Sequence, residues 1–295
     1  MKKVFITICG CAILFAGCTE KGPPIDFSNG VRNDTTHNDT TYLVSPIPTP
    51  DLHNVLAEEF TGQSCANCPA AHDLLNSLAT AGRLNTLGLY ITGLGQTKPP
   101  TGAAYDFRNA IATEISSNIY QGGPGSGIPC GGIDRVPVGG SLLLYAPSWT
   151  DAYNQRLSMA DSVNLSVTSS YNATNDTATI TATVTYLQQV STRQNLSIAI
   201  VEDSIIDLQE IPSGIDNNYL FTNVFRDMVT SAPYGDPVLP TKTVKEPGRV
   251  ERRIYTYKVN PAWKAKHCRV IAFVNYSNSE LNKDVFQSVQ TKLAP

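Results

Sequence analysis

The chain reads as an α/β unit followed by an all-β antiparallel sandwich, and three observations carry that reading. From Asp51 to Ser162, short apolar runs alternate with segments of helical periodicity, which favours helices packed on a mixed sheet. Beyond Ser162 the helical signal nearly vanishes and apolar residues recur at every second position. The length after residue 50, about 245 residues, exceeds what one compact domain usually needs, so two domains are expected, at 51–162 and 163–295.

The first eighteen residues set the compartment. Lys2 and Lys3 precede an apolar run from Val4 to Phe15, too short for a stable membrane anchor, which ends in Phe15-Ala16-Gly17-Cys18. Small residues directly before a cysteine match the site at which a bacterial lipoprotein signal is cut to leave a lipid on Cys18. Residues 1–18 are therefore read as a signal ending at the lipidated cysteine. Residues 19–50, rich in Pro, Asn, Asp and Thr and ending in Pro46, Pro48 and Pro50, are read as a disordered tether. The expected partner at this end is a membrane, reached through the lipid.

Charge and cysteine content narrow the function classes. The 22 basic and 25 acidic residues give a net charge of −3; without Lys2 and Lys3 it is about −5, and no basic stripe points to nucleic acid. Of seven cysteines, Cys9 and Cys11 leave with the signal and Cys18 carries lipid, so Cys65, Cys68, Cys130 and Cys268 remain. Four are too few for a disulfide scaffold. A close pair in an oxidising envelope is more useful as a redox centre than as a staple, because so short a loop restrains the unfolded chain little.

The elements of the first unit follow in order. A strand is expected at Val55–Phe60, and then a helix with Ala71, Leu74, Leu75, Leu78 and Ala79 on one face and Gly82 as its stop. A second strand is placed at Leu87–Thr92. The glycines of Gly93–Gly102 do not fit a phosphate loop, since Pro99 follows Lys98, and an exposed loop is expected. Phe107, Ile111, Ile115 and Ile119 mark a second helix ending at Gly122-Gly123. A glycine-rich run from Gly127 to Pro137 leads to a strand at Ser141–Tyr145, and Ser148 with Asp151 forms a capping pair for a last helix with Trp149, Tyr153 and Leu157.

In the second unit, Val163, Leu165 and Val167 alternate, as do Ala178, Ile180, Ala182, Val184 and Tyr186 across a turn at Asn172–Asp176. Further strands are expected near Leu196–Val201, Tyr219–Met228, Val250–Val259, Cys268–Tyr276 and Val285–Leu293. About seven strands at this spacing predict an immunoglobulin-like sandwich. The four-proline stretch from Thr230 to Gly248 is read as a disordered or a binding loop.

The chemistry gathers in Glu58–Leu78. An apolar run breaks at Thr61-Gly62 and delivers Cys65 and Cys68 to the start of a helix. Two intervening residues on a first turn place both sulfurs within bonding reach, and the helix N-terminus favours a thiolate. Cys65 is the candidate nucleophile and Cys68 its resolving partner. Pro69, with no N–H to donate, agrees with a helix starting near the cysteines.

This layout resembles the thioredoxin superfamily, in which a strand carries an acid six positions before the first cysteine. The resemblance assigns Glu59 as the proton acceptor for Cys68, a role that a raised, partly buried carboxyl pKa would serve. It also implies a cis-proline opposite the pair, aligning the substrate backbone. Pro129 and Pro137 are candidates, and Pro129 is favoured because it follows the second helix and opens a strand. Cys130 is then either a third thiol near the pair or a small buried hydrophobe. Ser64 stands where tryptophan is usual, and Ala66-Asn67 where Gly-Pro is. A weaker alternative is a metal site made by Cys65, Cys68 and His72, with Cys130, Cys268 or His53 as a fourth ligand.

At finer grain, the run Phe60-Thr61-Gly62, Cys65, Cys68-Pro69 and the segment from Gly127-Ile128-Pro129 to Asp134-Arg135 resemble the outer-membrane-protein-28-related lipoproteins, with Phe225-Arg226 and Val270–Val274 as weaker echoes. The resemblance implies an outer-membrane lipoprotein of the cell envelope, a thioredoxin-like domain before a β-sandwich, and no cofactor. The function expected is thiol-disulfide exchange with an envelope protein. The alternative is a surface binding or adhesion lipoprotein whose cysteine pair is only a structural bond.

Overall fold

A computed structural model describes residues 37–295 apart from 81, 126 and 279–281. The signal, Cys18 and residues 19–36 of the expected tether lie outside the described residues. In chain order, the first half contains β1 (His37–Leu43), β2 (Val55–Phe60), α1 (Cys68–Ala79), β3 (Leu84–Leu89), α2 (Ala110–Asn118), β4 (Cys130–Ile133), β5 (Leu144–Tyr145) and α3 (Trp149–Arg156). The second half contains β6 (Val163–Asn172), β7 (Thr177–Tyr186), β8 (Gln194–Glu202), β9 (Ile205–Ile211), β10 (Gly214–Phe221), β11 (Val224–Met228), β12 (Asp236–Pro237), β13 (Arg249–Lys258), β14 (Cys268–Tyr276) and β15 (Val285–Lys292).

The protein is mostly β, in three sheets. The largest has nine strands, running β15-β14-β8-β11-β3-β2-β4-β5 with β12 added on β8. At its N-terminal end β2 and β3 are parallel, joined through α1, while β4 runs antiparallel to β2. Helices cover both faces there. Ala71 and Leu75 of α1 pack with Trp149 and Tyr153 of α3 against Val55, Ala57 and Ile133, whereas Ala112 and Ile115 of α2 pack with Leu56, Phe60, Leu87 and Leu89. β2 is consequently buried at all six positions.

The expected boundary at 162 falls between α3 and β6, and the large sheet crosses it. β11 joins β3 in parallel at Val224 and Gly88, where the Gly88 amide donates to the Asn223 carbonyl at 2.8 Å. A Cβ on Gly88 would lie 2.9 Å from that oxygen, so the bare glycine permits the junction. β8 and β14 are then buried on both sides. Leu196, Ile198, Ile200, Val270 and Ala272 face one cluster, and Ala199, Val201, Ile271 and Phe273 face the other, together with α2 and β3.

A four-stranded sheet, β1-β13-β7-β6, packs over the first of these faces. Its two long hairpin partners, β6 and β7, show the alternation that the sequence reading used. The two-sheet packing expected of the C-terminal half is thus present, but one layer continues into the α/β part rather than ending as a free-standing sandwich. The third sheet is the ribbon β9-β10.

Several local expectations change. Residues 37–43 are not tether: they form β1, in register with β13 from His37 opposite Tyr255 to Leu43 opposite Arg249, and Arg253 grips Asp39 through Nε–Oδ1 at 2.8 Å and Nη2–Oδ2 at 3.2 Å. The polar composition concealed an edge strand whose stability comes from backbone pairing and one ion pair. β3 begins at Leu84, three residues earlier than expected, and the strand placed at Ser141–Tyr145 shrinks to β5 because β4 takes the pairing with β2. Ser148 occupies the N-cap of α3 but makes no capping bond, since it continues a 3-10 turn from Ala146 in helical geometry. The stretch 230–248 is ordered, and β12 within it pairs with β8. β9 was not anticipated at all. No described helix is long and apolar enough to cross a membrane.

Candidate functional site

Cys65 and Cys68 are joined as a disulfide, with Cα atoms 5.4 Å apart. The geometry follows from the local sequence. β2 ends at Phe60, the chain turns through Thr61-Gly62, and Asn67 occupies the N-cap position, without a side-chain capping bond, of a helix whose first residue is Cys68, with Pro69 in the first turn where a missing N–H costs nothing. The Cys68 amide donates to the Cys65 carbonyl at 3.1 Å, closing the turn that brings the sulfurs together. Gly62 is required for the approach of the neighbouring turn, since a Cβ there would sit 2.2 Å from the Gln96 carbonyl oxygen. That same oxygen accepts from the Ser64 amide at 3.0 Å.

The Ile128–Pro129 peptide is cis, and the Ile128 carbonyl oxygen lies 3.7 Å from Cys65 Sγ. The peptide that leads into Pro129 thus lies beside Cys65 and its bonded partner Cys68. Pro137, the other candidate, belongs to the loop before β5 and lines a separate cavity of about 470 Å³ with Tyr120, Arg135 and Leu142. Cys130 follows Pro129 into β4 as a buried free thiol opposite Phe60, and burial, with Glu59 adding to it, pushes its pKa up to about 12. At neutral pH it is a protonated, inert group. Cys268 is also a buried free thiol, but it belongs to the cluster on the far face of β8 and β14.

Glu59 is buried, and burial holds its carboxyl pKa well above the usual range. Its Oε1 has no hydrogen-bond partner, and the approach of His72 Nε2, at 3.5 Å, lacks hydrogen-bond geometry. Burial of this carboxyl favours its protonated form, which is the form able to give a proton. His72, one turn after Cys68, turns its nitrogens to Thr61 Oγ1 and to the Tyr219 hydroxyl, each at 2.7 Å, rather than to the sulfurs. Burial lowers its pKa to about 4, so its ring is neutral. Of the proposed metal ligands, Cys65 and Cys68 are bonded to each other, and no three His, Cys, Asp or Glu side chains among the described residues converge as a metal site.

Two buried charge clusters went unnoticed in the sequence. Glu58, the neighbour of Glu59 on the opposite face of β2, takes a bidentate clamp from Arg135 at 2.7 and 2.8 Å and a 2.6 Å hydrogen bond from the Tyr120 hydroxyl. His53 lies between Asp161, 2.6 Å from Nδ1, and Asp134, 2.7 Å from Nε2. Burial alone would lower its pKa, but the two carboxylates outweigh that and raise it to about 9. Asp134 also accepts from the Leu56 amide and from Arg156 Nε, at 2.7 and 2.8 Å. The Asp134-Arg135 pair, noted in sequence only as part of a resemblance, thus anchors both clusters from consecutive residues with φ of 48° and 53°. Pairings between residues about eighty apart leave no periodic trace.

Comparison with known proteins agrees with this architecture. No curated protein matches in sequence. Among solved structures, HBP35 of Porphyromonas gingivalis is similar over 83% of this chain and 77% of its own, with a TM-score of 0.63 at 15% identity. Protein AGR_C_4864 from Agrobacterium tumefaciens is similar over 83% of this chain and 96% of its own, with a TM-score of 0.52 at 13% identity. At such identities the likeness is one of fold. The model of the family described as outer membrane protein Omp28 matches residues 118–295, from the end of α2 through β15 and therefore after the cysteine pair. With well over half its length matched, the chain belongs to the outer membrane protein Omp28 family.

Proposed function

We propose that this envelope protein is a lipoprotein, held to the outer membrane through Cys18, whose thioredoxin-like residues 51–162 exchange disulfides with envelope proteins. In this reading the later strands form an immunoglobulin-like sandwich that supplies contacts to those partners. The observation that carries the proposal is the Cys65–Cys68 disulfide at the first turn of α1, set against the cis Ile128–Pro129 peptide. A partner thiolate attacks Cys65 and forms a mixed disulfide, while Cys68 leaves as a thiolate. A second partner thiol then resolves the mixed disulfide, and the two electrons pass from the partner to the pair. Glu59 supplies a buried proton store beneath α1, and the peptide at Pro129 gives the incoming chain an extended backbone to lie against. No cofactor is needed for these steps.

The test has two parts. The purified protein is equilibrated with glutathione buffers, and the Cys68→Ser form is expressed in its host, where the free Cys65 thiolate attacks a partner disulfide in the reverse exchange and, with no Cys68 to resolve it, holds the partner as a mixed disulfide. A potential within the range of exchange catalysts together with trapped mixed disulfides is expected. A potential below roughly −300 mV with nothing trapped favours the second reading, a binding lipoprotein whose pair is structural. One observation supports that alternative: both cysteines are buried, Cys65 being 2% exposed and Cys68 0%.

A further inference from the structure

Exchange requires a thiolate to reach a sulfur along the disulfide axis, yet Cys65 is only 2% exposed and Cys68 0%. Three elements close around residues 61–68. The turn at Gly95–Thr97 and the Ile128–Pro129 peptide form two sides, through the contacts of Gln96 and Ile128 described above. The third side is the ribbon β9-β10. Gln209 Nε2 on β9 donates to the carbonyls of Gly62 and Cys65, at 3.2 and 3.1 Å, and the Glu210 amide donates to the Gln63 carbonyl at 2.8 Å. From β10, Tyr219 reaches His72 in α1.

The ribbon differs from the other two sides in how it is attached. β9 and β10 pair only with each other, and they prolong the β8-β11 pair out of the main sheet: Val224 lies opposite Glu202, and Phe221 opposite Ile205. Between these two registers, each strand passes through a non-glycine residue in the left-handed region, Ser204 and Asn223, both with φ of 59°. The register fixed by these pairs puts the two on adjacent rungs, where the ribbon leaves the main sheet, and element-terminal positions of this kind can absorb the φ/ψ change of a hinge. The base of the hinge is fixed to the main sheet, because Arg269 on β14 bonds both Asp203 and the Asn223 side chain. The far side of the ribbon faces solvent, with the directly opposed Ile206 and Leu220 59% and 54% exposed.

We propose that the β9-β10 ribbon is a hinged cover over the Cys65–Cys68 disulfide, pivoting at Ser204 and Asn223, and that its opening gates access of a partner thiol to Cys65. This rests on the exchange reading for its purpose, though not for its mechanics. The reaction admitted by opening is the thiolate attack written above, with Cys68 departing with the electron pair of the broken bond.

The test measures how fast dithiothreitol reduces the pair in the whole mature protein under native conditions, by alkylation and intact mass. In wild-type protein, the reduction rate should rise with sub-denaturing urea along a slope well below that of global unfolding, as local opening requires. Gln209→Ala and Tyr219→Phe should each raise the rate by about tenfold, the scale of one lost hydrogen bond. Both should also speed amide exchange at residues 205–221 while leaving β4 protected. A slope of zero, meaning that the sulfurs are already open, overturns the proposal. So does a slope equal to that of global unfolding, or reduction unchanged in variants whose ribbon exchanges faster. The exchange reading fails separately, if the uncovered pair reduces readily but oxidises no dithiol peptide.

Discussion

His53 carries a charge between two buried carboxylates and so ties stability to pH. Burial opposes the charge, but Asp134 and Asp161 raise its pKa to about 9, against 6.5 for an ordinary histidine. The folded protein thus binds this proton more tightly than the unfolded chain. The stabilisation is complete below pH 6.5 and is lost as pH rises through 9, and a shift of this size corresponds to about 3 kcal/mol. Urea unfolding between pH 6 and pH 9.5 should show the decline in wild-type protein, and His53→Gln should flatten it over pH 6.5–7.5, below the ionisation of thiols in the unfolded chain at about 8.5. An equally steep decline in the variant would place the effect elsewhere. Stability at pH 6 should fall in the variant, since Asp134 keeps Arg156 but Asp161 keeps only the 2.6 Å bond from Gln287.

Elements with a strong local signature were legible in the sequence. β2 and β14 are placed to the residue by their apolar stretches, Val55–Ala57 with Phe60 and Val270–Val274, between clear breaks, and α1 follows from its apolar face and Pro69. β9 escapes the pattern because Asp207 and Gln209 turn inward to bond loop backbone while Ile206 faces solvent, and β10 merges with β11 in the sequence because only Tyr219 and Phe221 at its end are apolar and inward, Leu220 facing solvent. The cysteine pair, Glu59 and Pro129 were found through spacing and resemblance, but the partners of Glu58 and His53 depend on tertiary approach alone. α2 shows a local device that periodicity also overlooks. Asn109 caps it, accepting from the amides of Ile111 and Ala112 at 2.8 and 3.2 Å, and its Nδ2 donates to the Arg226 carbonyl of β11 at 2.7 Å. Asn109→Ala should therefore cost about 1–2 kcal/mol in urea unfolding, the upper part of the range for a lost cap, whereas Asn109→Asp, which keeps the acceptor but not the amide donor, should recover part of it. If Asp and Ala cost the same, the cap bonds contribute nothing and only the tie to β11 matters.

At the scale of the whole molecule, the two-part organisation expected from the sequence and the continuous sheet lead to different unfolding behaviour. Period-two strands after Ser162 do form a second layer, with β6, β7 and β13 over β8 and β14. Yet the other face of β8 and β14 contributes Ala199, Val201, Ile271 and Phe273 to the cluster containing Leu56, Phe60, Leu89 and Ile115, so neither half can leave without exposing the core of the other. Arg135, clamped on Glu58, also lies 5.1 Å over the ring of Phe273, which carries the charge cluster across the same junction. A chain limited to residues 51–162 should show no cooperative transition. The full mature chain should unfold as one unit, and its two tryptophans allow this to be read directly. Trp149 is buried in α3, held by a 3.1 Å bond from its indole N–H to the Leu144 carbonyl, while Trp263 packs against the distant strand cluster. In a Trp263→Phe variant, fluorescence follows the helical end alone and far-UV circular dichroism follows mainly the strands. The two urea curves should coincide in midpoint and slope. Separated midpoints would mean that the bridge at Gly88 and Val224 joins the halves in geometry but not in free energy.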